Sequence, residues 1–227
     1  MSDNKQVAVI VGAGPGLGAA AARRFTEAGM TSVLVSRNAE RLADLAASID
    51  GAVAYPCDAT DEDAVEKMFT DIEAEHGPVE VLVYNPGGGF GRTTVVEQSA
   101  ERFRAVWEFT AFGGFLCSRA AAQRMLKRGH GSILITGATA SLRGGKGFGA
   151  FASGKFALRA PGQSMARELG PEGIHVAQIN IDGMIGESDD GSKLDPADIA
   201  ETYYGLHKQS KTNWTHELDI RPWSETW

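Results

Sequence analysis

The chain has 227 residues, of which 43% are hydrophobic and 22% charged, an ordinary globular composition that argues against disorder. Its 29 acidic and 22 basic residues give a net charge of −7, and a surface with that balance repels phosphate backbones, so nucleic-acid binding is not expected. The polar N-terminus and the short apolar run Val7–Val11 predict neither a signal peptide nor a membrane span, so no membrane partner is expected.

The first half of the chain alternates short β-branched runs with longer runs of helical period. In chain order, we predict a strand at Val7–Val11, a helix at Gly16–Ala28, a strand at Ser32–Ser36, a helix at Ala39–Ser48, a strand at Ala52–Pro56, a helix from a Thr60 cap to Ala74 and a strand at Val79–Tyr84.

The second half continues the same alternation. A Ser99 cap predicts one long helix to about Lys127, and the following elements are a strand at Ile133–Thr136, a helix at Ala150–Leu169, a strand at His175–Ile181, a helix that begins at Asp195-Pro196 and a last strand at Thr215–Ile220.

The predicted strands indicate the fold class. Val7–Val11, Val79–Val83 and Ile133–Ile135 are almost continuously apolar, as expected when helices cover both faces of a parallel sheet. We therefore predict an α/β fold with a single Rossmann-type doubly wound parallel sheet and helices on both faces. No linker or composition shift marks a boundary, so residues 1–227 are expected to form one domain, with a mobile substrate loop at about 183–195.

The two cysteines, Cys57 and Cys117, lack the spacing of metal ligands and cannot form a dense disulfide framework. This pattern predicts no metal site and fits the reduced cytoplasm.

A glycine-rich turn directly follows the first predicted strand and opens the first helix. In such a turn the helix amides and dipole favour a diphosphate, and glycines let the backbone approach it. A glycine-rich turn without a ligand is the alternative. The candidate dinucleotide-binding residues here are Gly12, Gly14, Pro15, Gly16, Leu17 and Gly18.

The spacing Gly12-x3-Gly16-x-Gly18 resembles the turn of the short-chain dehydrogenase/reductase family. Other landmarks of that family follow in order along nearly the whole chain. They are Asp58 after the third strand, Tyr84-Asn85-Pro86-Gly87 after the fourth, the Phe151-x3-Lys155 pair, which is similar to Tyr-x3-Lys, and Asp182-Gly183, which resembles Pro-Gly. The resemblance implies an NAD(P)-dependent oxidoreductase, and cofactor contacts at Asp58, Ala59, Asn85, Pro86, Gly87, Lys155 and Ile185.

The end of the second strand predicts which cofactor is preferred. An acidic residue there binds the ribose 2′-hydroxyl of NAD, whereas an arginine accommodates the 2′-phosphate of NADP. The sequence reads Ser36-Arg37-Asn38, which offers a guanidinium and no carboxylate. We predict a preference for NADP(H) over NAD(H), with a solvated surface arginine as the alternative.

The resemblance also implies that three catalytic groups have been replaced. Phe151 takes the position of the family's proton-donating tyrosine, Ala138 that of its serine and Thr110 that of its asparagine, while Lys155 remains. Thr139, or Thr136, is a weak candidate to replace the serine. Phe148 and Phe151, and also Phe90, are expected to form an apolar wall of the pocket.

Two functions remain open at this point. The chain is either an NADP(H)-dependent oxidoreductase that acts on a small carbonyl or alcohol, or an NADP(H)-binding protein without redox turnover that serves as a sensor or a partner subunit. Family members assemble through long helices similar to Ser99–Lys127 and Ala150–Leu169, so a homodimer or homotetramer is expected.

Overall fold

The computed structural model describes residues 6–87 and 91–226. Its strands are β1 (Val7–Val11), β2 (Thr31–Ser36), β3 (Ala52–Pro56), β4 (Val79–Tyr84), β5 (Gly131–Ala138), β6 (Ile174–Ile181) and β7 (Glu217–Ile220). Its α-helices are α1 (Leu17–Glu27), α2 (Ala39–Ala47), α3 (Glu62–His76), α4 (Ala100–Trp107), α5 (Gly113–Leu126), α6 (Gly149–Leu169) and α7 (Pro196–His207). A π turn, Glu108–Phe112, joins α4 to α5, and a 3-10 turn, Thr139–Ser141, follows β5.

The strands form one sheet in the order β3-β2-β1-β4-β5-β6-β7, and all neighbouring pairs are parallel. Alternate side chains of β1 enter two different cores, with Val9 packed on the side of α3, α5 and α6 and Ile10 on the side of α1, α2 and α7. The predicted doubly wound α/β fold is confirmed. No helix in the described ranges is both long and apolar enough to cross a membrane.

The predicted element boundaries agree with the structure to within two residues, and the helix predicted from Ser99 to Lys127 is continuous from Ala100 to Leu126 but contains a π turn that was not predicted. Ser99 does cap α4, through a 3.2 Å bond from the Arg102 amide, and the α-helical hydrogen bonding changes at the π turn. There the Gly113 amide donates to the carbonyl of Glu108, five residues back, because the carbonyl of Phe109 accepts the Tyr84 hydroxyl instead.

The predicted cap of α3 is wrong by one residue. Asp61, not Thr60, accepts the Ala64 amide at 3.0 Å. The Thr60 hydroxyl donates instead to the Asp58 carboxylate at 2.8 Å, so it belongs to the loop before the helix.

The strand order reverses between β1 and β4, and this determines where a ligand can bind. To one side of β1 the chain continues through β2 and β3, and to the other through β4 to β7. The turns after β1 and β4 therefore diverge at the carboxyl edge of the sheet and leave a crevice between them. Such a crevice is the usual ligand site in open α/β sheets.

Candidate functional site

The turn after β1 touches the turn after β4 at a single close backbone contact. Gly12 has a φ of 82°, and a Cβ built there would lie 2.0 Å from the carbonyl oxygen of Asn85. The Asn85 side-chain amide donates to the Gly12 carbonyl at 3.2 Å, and its backbone amide donates to Val11 at 2.9 Å. Only glycine fits at position 12, because any side chain meets both strain and backbone.

The other glycines of this turn have two different roles. A Cβ at Gly18 would lie 2.8 Å from the Cα of Ala13, so Gly18 lets α1 pack closely on the turn. A Cβ at Gly14 or Gly16 would meet no described atom within 4 Å, so these two glycines border open space. Pro15 is exposed between them and Leu17 is buried. No described side chain caps the N-terminus of α1, so its first amides are available to an anion.

A groove of about 1120 Å³ begins at this turn and runs past the ends of β2 and β3 to the π turn. Its size suits an extended dinucleotide better than a small metabolite. Of the residues predicted from the sequence, those that line the groove are Gly12, Gly14, Pro15, Ser36, Arg37, Asn38, Ala59, Gly87 and Thr110.

The far end of the groove is basic although the chain as a whole is acidic. Arg37, Arg41 and Arg102 line it, together with the carboxylate of Asp44. Arg41 and Arg102 were not predicted from the sequence to lie at the site. Asn38 caps α2 by accepting the Arg41 amide at 2.9 Å, and recognition of that cap would have placed Arg41 in the first helical turn beside Arg37.

Asp58 stabilises the loop after β3 and does not line the groove. Its carboxylate accepts the Thr60 amide at 3.0 Å as well as the Thr60 hydroxyl. Burial on its own would raise the pKa of Asp58, but these hydrogen bonds and the charge of Arg37 outweigh burial and lower that pKa. The ionised carboxylate thus holds the loop that presents Ala59 to the groove.

Lys155 lies at the buried face of α6 and is 3% exposed. Its ammonium donates to the backbone carbonyl of Thr136 at 2.6 Å and lies 5.7 Å from the centre of the Phe151 ring. Burial lowers the pKa of Lys155 to about 7. These contacts place the amine at β5 although residue 151 has no hydroxyl.

The π turn brings Thr110 against α6. A Cβ at Gly154 would lie 2.8 Å from the Cβ of Thr110, so the helix and the turn are in close contact one residue before Lys155. Thr110 is buried and also lines the groove. The structure therefore brings the π turn, α6 and β5 together at Thr110, Lys155 and Thr136, which lie far apart in the sequence.

The end of β5 holds Ala138 and Thr139. The Ala138 amide donates to the hydroxyl of Ser141 at 3.1 Å, and Ser141 is completely buried. Thr139 is partly exposed, and its hydroxyl donates to the carboxylate of Asp182 at the end of the neighbouring strand. Asp182 is 7% exposed, and its other oxygen lies 3.4 Å from Nε of Arg221.

The remaining candidates lie elsewhere. Ile185 is exposed, forms a β-bridge with Leu194 and does not line the groove. Phe90 lies outside the described residues. Two buried tyrosines near the site also use their hydroxyls in hydrogen bonds. That of Tyr84 donates to the Phe109 carbonyl, and that of Tyr203 lies 2.8 Å from the Thr136 hydroxyl in the core on the opposite face of the sheet.

Comparison with known proteins gives a consistent family. The family model described as short chain dehydrogenase matches residues 6–189. The chain is 34% identical over 179 residues to a meso-2,3-butanediol dehydrogenase from Serratia marcescens, an alignment that covers 78% of this chain and 70% of the relative.

Solved structures of similar proteins cover almost the whole chain. A short-chain dehydrogenase from Rhodopseudomonas palustris is 42% identical with a TM-score of 0.86, and 96% of this chain and 99% of that one are covered. A metagenomic short-chain oxidoreductase in complex with NADP is 28% identical with a TM-score of 0.85, and the coverage is 96% and 97%.

We predict that Gly12→Ala lowers the free energy of unfolding by about 2 kcal/mol or more, because strained backbone and a clash with Asn85 act together. Urea unfolding measures this value. Gly205→Ala is the matched control, since no described atom lies within 4 Å of the new Cβ in α7 and alanine favours a helix by about 1 kcal/mol. A Gly12→Ala protein as stable as the wild type would contradict the close contact.

Proposed function

This chain belongs to the short-chain dehydrogenase family, and from that premise we propose that it is an NADP(H)-dependent oxidoreductase acting on a small carbonyl or alcohol. Members of this family are oxidoreductases that use NAD or NADP. The observation that carries the proposal is one groove lined both by Gly12 and Gly14, in the turn before α1, and by three arginines, Arg37, Arg41 and Arg102.

The residues of the groove fit a dinucleotide. The space beside Gly14 and Gly16 is where a diphosphate reaches the first amides of α1. Ala59 and Gly87 offer small surfaces to the adenosine half. Lys155 does not line the groove and is assigned to the ribose next to the nicotinamide by the family resemblance. NADPH supplies a hydride when it is bound.

Three features support NADP(H) over NAD(H). Arg37, at the end of β2, is exposed and lines the groove, and Arg41 and Arg102 add positive charge to the same end. An arginine forms paired hydrogen bonds with a phosphate, whereas a carboxylate at this strand end would repel it. One solved relative was bound to NADP.

A small substrate is supported by the relatives and by the walls near α6. One relative is a meso-2,3-butanediol dehydrogenase, whose named substrate is a short diol. Phe148 and Phe151 lie at the start of α6, and the Arg92 guanidinium lies 5.3 Å from the Phe148 ring. We assign residues 183–195 to a loop over this substrate.

The catalytic groups differ from the family pattern in this proposal. Phe151, Ala138 and Thr110 occupy the positions of its tyrosine, serine and asparagine, and none of them repeats the original group. The side chain of Lys155 is held by its hydrogen bond to the Thr136 carbonyl. The proton must therefore come from a group other than residue 151.

A second candidate function is NADP(H) binding without redox turnover. The observation that favours it is the side chain of Phe151, which carries no hydroxyl, while Tyr84 and Tyr203 use theirs in packing contacts. General acid–base catalysis contributes about 10²–10⁴-fold in rate, so a chain without a replacement donor would bind cofactor and not react.

We further propose that the chain forms a homodimer or homotetramer through α4, α5 and α6. Phe103 and Trp107 on α4, Phe115 on α5 and Phe156 on α6 are each 38–43% exposed. Aromatic side chains in such numbers on adjoining helices are typical of an interface between subunits.

Cofactor choice is tested with Arg37→Ala. We expect the Kd for NADPH to rise about tenfold or more, because a charge-assisted bond to phosphate contributes about 1.5–3 kcal/mol. The Kd for NADH should not change. Fluorescence titration measures both values, with Arg23→Ala on the exposed face of α1 as control. Equal losses for both cofactors would refute a role in 2′-phosphate recognition.

Turnover is tested with NADPH and a panel of short carbonyl compounds, followed by absorbance of the reduced cofactor. We expect slow oxidation that Lys155→Ala abolishes, and Phe151→Tyr should raise kcat/KM by about 100-fold because it restores a general acid. Phe156→Tyr adds a hydroxyl elsewhere on the same helix and should have no effect. Tight NADPH binding with no oxidation of any compound would support the second candidate.

Assembly is tested by light scattering at micromolar concentration. The wild type should have the mass of a dimer or tetramer, and Phe156→Asp should shift it toward the monomer, since a charge at a buried interface is strongly unfavourable. Ala197→Asp, on the exposed side of α7, should leave the mass unchanged. A monomeric wild type would rule the assembly out.

A further inference from the structure

We infer that Asp182 positions Thr139 as a proton acceptor for an alcohol substrate, an inference that rests on the proposed oxidoreductase function. The Thr139 hydroxyl donates its hydrogen bond to the Asp182 carboxylate. An ionised carboxylate can only accept, so the direction of this bond is determined. The lone pairs of the Thr139 oxygen are then left to accept a proton from a substrate hydroxyl.

The pair lies at the edge of the sheet where the substrate is expected. Thr139 directly follows β5 and Asp182 directly follows β6. The last residues of the two strands, Ala138 and Ile181, are partners in the strand register. The Lys155 ammonium donates to the carbonyl of Thr136, which lies on β5 three residues before Thr139. By the family resemblance, the residue before Thr139 is the one that faces the reacting oxygen.

Asp182 is a buried carboxylate with a positively charged partner. It is 7% exposed, and a buried carboxylate is costly unless it is paired. The pairing comes from Arg221, which follows β7 and whose guanidinium approaches both Asp182 at 3.4 Å and Asp219 at 3.7 Å.

Further polar and charged residues lie at this edge of the sheet. Asp219 on β7 is exposed, and it accepts a 2.9 Å bond from the buried Asn180 side chain. Glu225 lies near Gly183, so the charged groups around Asp182 are Arg221, Asp219 and Glu225. Protons taken up by Asp182 can leave through this exposed edge.

Oxidation of the alcohol removes one proton and one hydride. The O–H bond of the alcohol breaks and its proton passes to Oγ1 of Thr139, whose own proton moves to the Asp182 carboxylate. The C–H bond breaks with its electron pair, and that hydride reduces bound NADP. The alcohol becomes a carbonyl, and Asp182, now a carboxylic acid, returns its proton to solvent.

A structural role is the simpler explanation of the same contacts, because a hydroxyl–carboxylate–arginine cluster can merely join strand ends. A similar cluster, with lysine in place of arginine, lies elsewhere in the chain. On the α3 side of the sheet, the Tyr55 hydroxyl donates to the Asp71 carboxylate. The same carboxylate accepts a 2.5 Å hydrogen bond from the Lys67 ammonium. It provides matched control variants for the experiment.

The test is a double-mutant cycle, with NADP and a panel of short secondary alcohols that includes meso-2,3-butanediol. Thr139→Val should lower kcat about 100-fold, and Asp182→Asn about tenfold or more with KM unchanged, because Asp182 does not touch substrate. The double variant should lose no more than Thr139→Val alone, since Asp182 acts through Thr139. Thr139→Ser keeps the hydroxyl and should retain activity.

Two further measurements separate catalysis from folding. NADPH binding, followed by its fluorescence, should be the same in all four proteins of the cycle. Tyr55→Phe and Asp71→Asn should change stability in urea unfolding but not kcat. Additive losses of kcat in the double variant, or an Asp182→Asn protein with full kcat, would overturn the inference and leave the proposed function intact. A wild type without turnover in either direction would overturn both.

Discussion

The contact between Gly12 and the Asn85 carbonyl is the constraint on which the rest of the site depends. It joins the turn after β1 to the turn after β4 where the strand order reverses, and it leaves no room for a Cβ. Because these two turns meet, the N-terminus of α1 faces the carboxyl edge of the sheet with open space beside Gly14 and Gly16. The groove begins at this junction, at the carboxyl edge where open α/β sheets usually bind ligands.

The two ends of the site differ in how closely they follow the family pattern. The glycine turn keeps the family's spacing, and the groove beside it gathers arginines from the loop after β2, from α2 and from α4 in an acidic chain. Near α6, two tyrosine hydroxyls form hydrogen bonds within the protein. Tyr84 donates to the Phe109 carbonyl and so produces the π turn that presents Thr110, and Tyr203 pairs with Thr136 on the opposite face of the sheet. Lys155 is held by a backbone carbonyl, a contact that does not depend on residue 151.

Most of the fold could be predicted because its signals are local. Apolar strands, helix caps such as Ser99 and Asp195, and the glycine turn are all visible within a few residues, and the element boundaries agree closely with the structure. Two errors, the Thr60 cap and the missed Arg41, were local, and the others have non-local causes. The π turn depends on a hydroxyl from β4, and Arg102, on α4, lines the groove together with residues that follow β1 and β2 in the sequence.

The sequence by itself determined the alternation of strands and helices, the parallel sheet, the glycine-rich turn and the arginine after β2, because each is visible in the spacing of neighbouring residues. Only the tertiary structure decided which polar groups meet. Thr139, Asp182 and Arg221 follow three different strands, and they come together because β5, β6 and β7 lie side by side with their carboxyl ends at one edge. Side chains distant in sequence become neighbours through strand order and register, which no local pattern encodes.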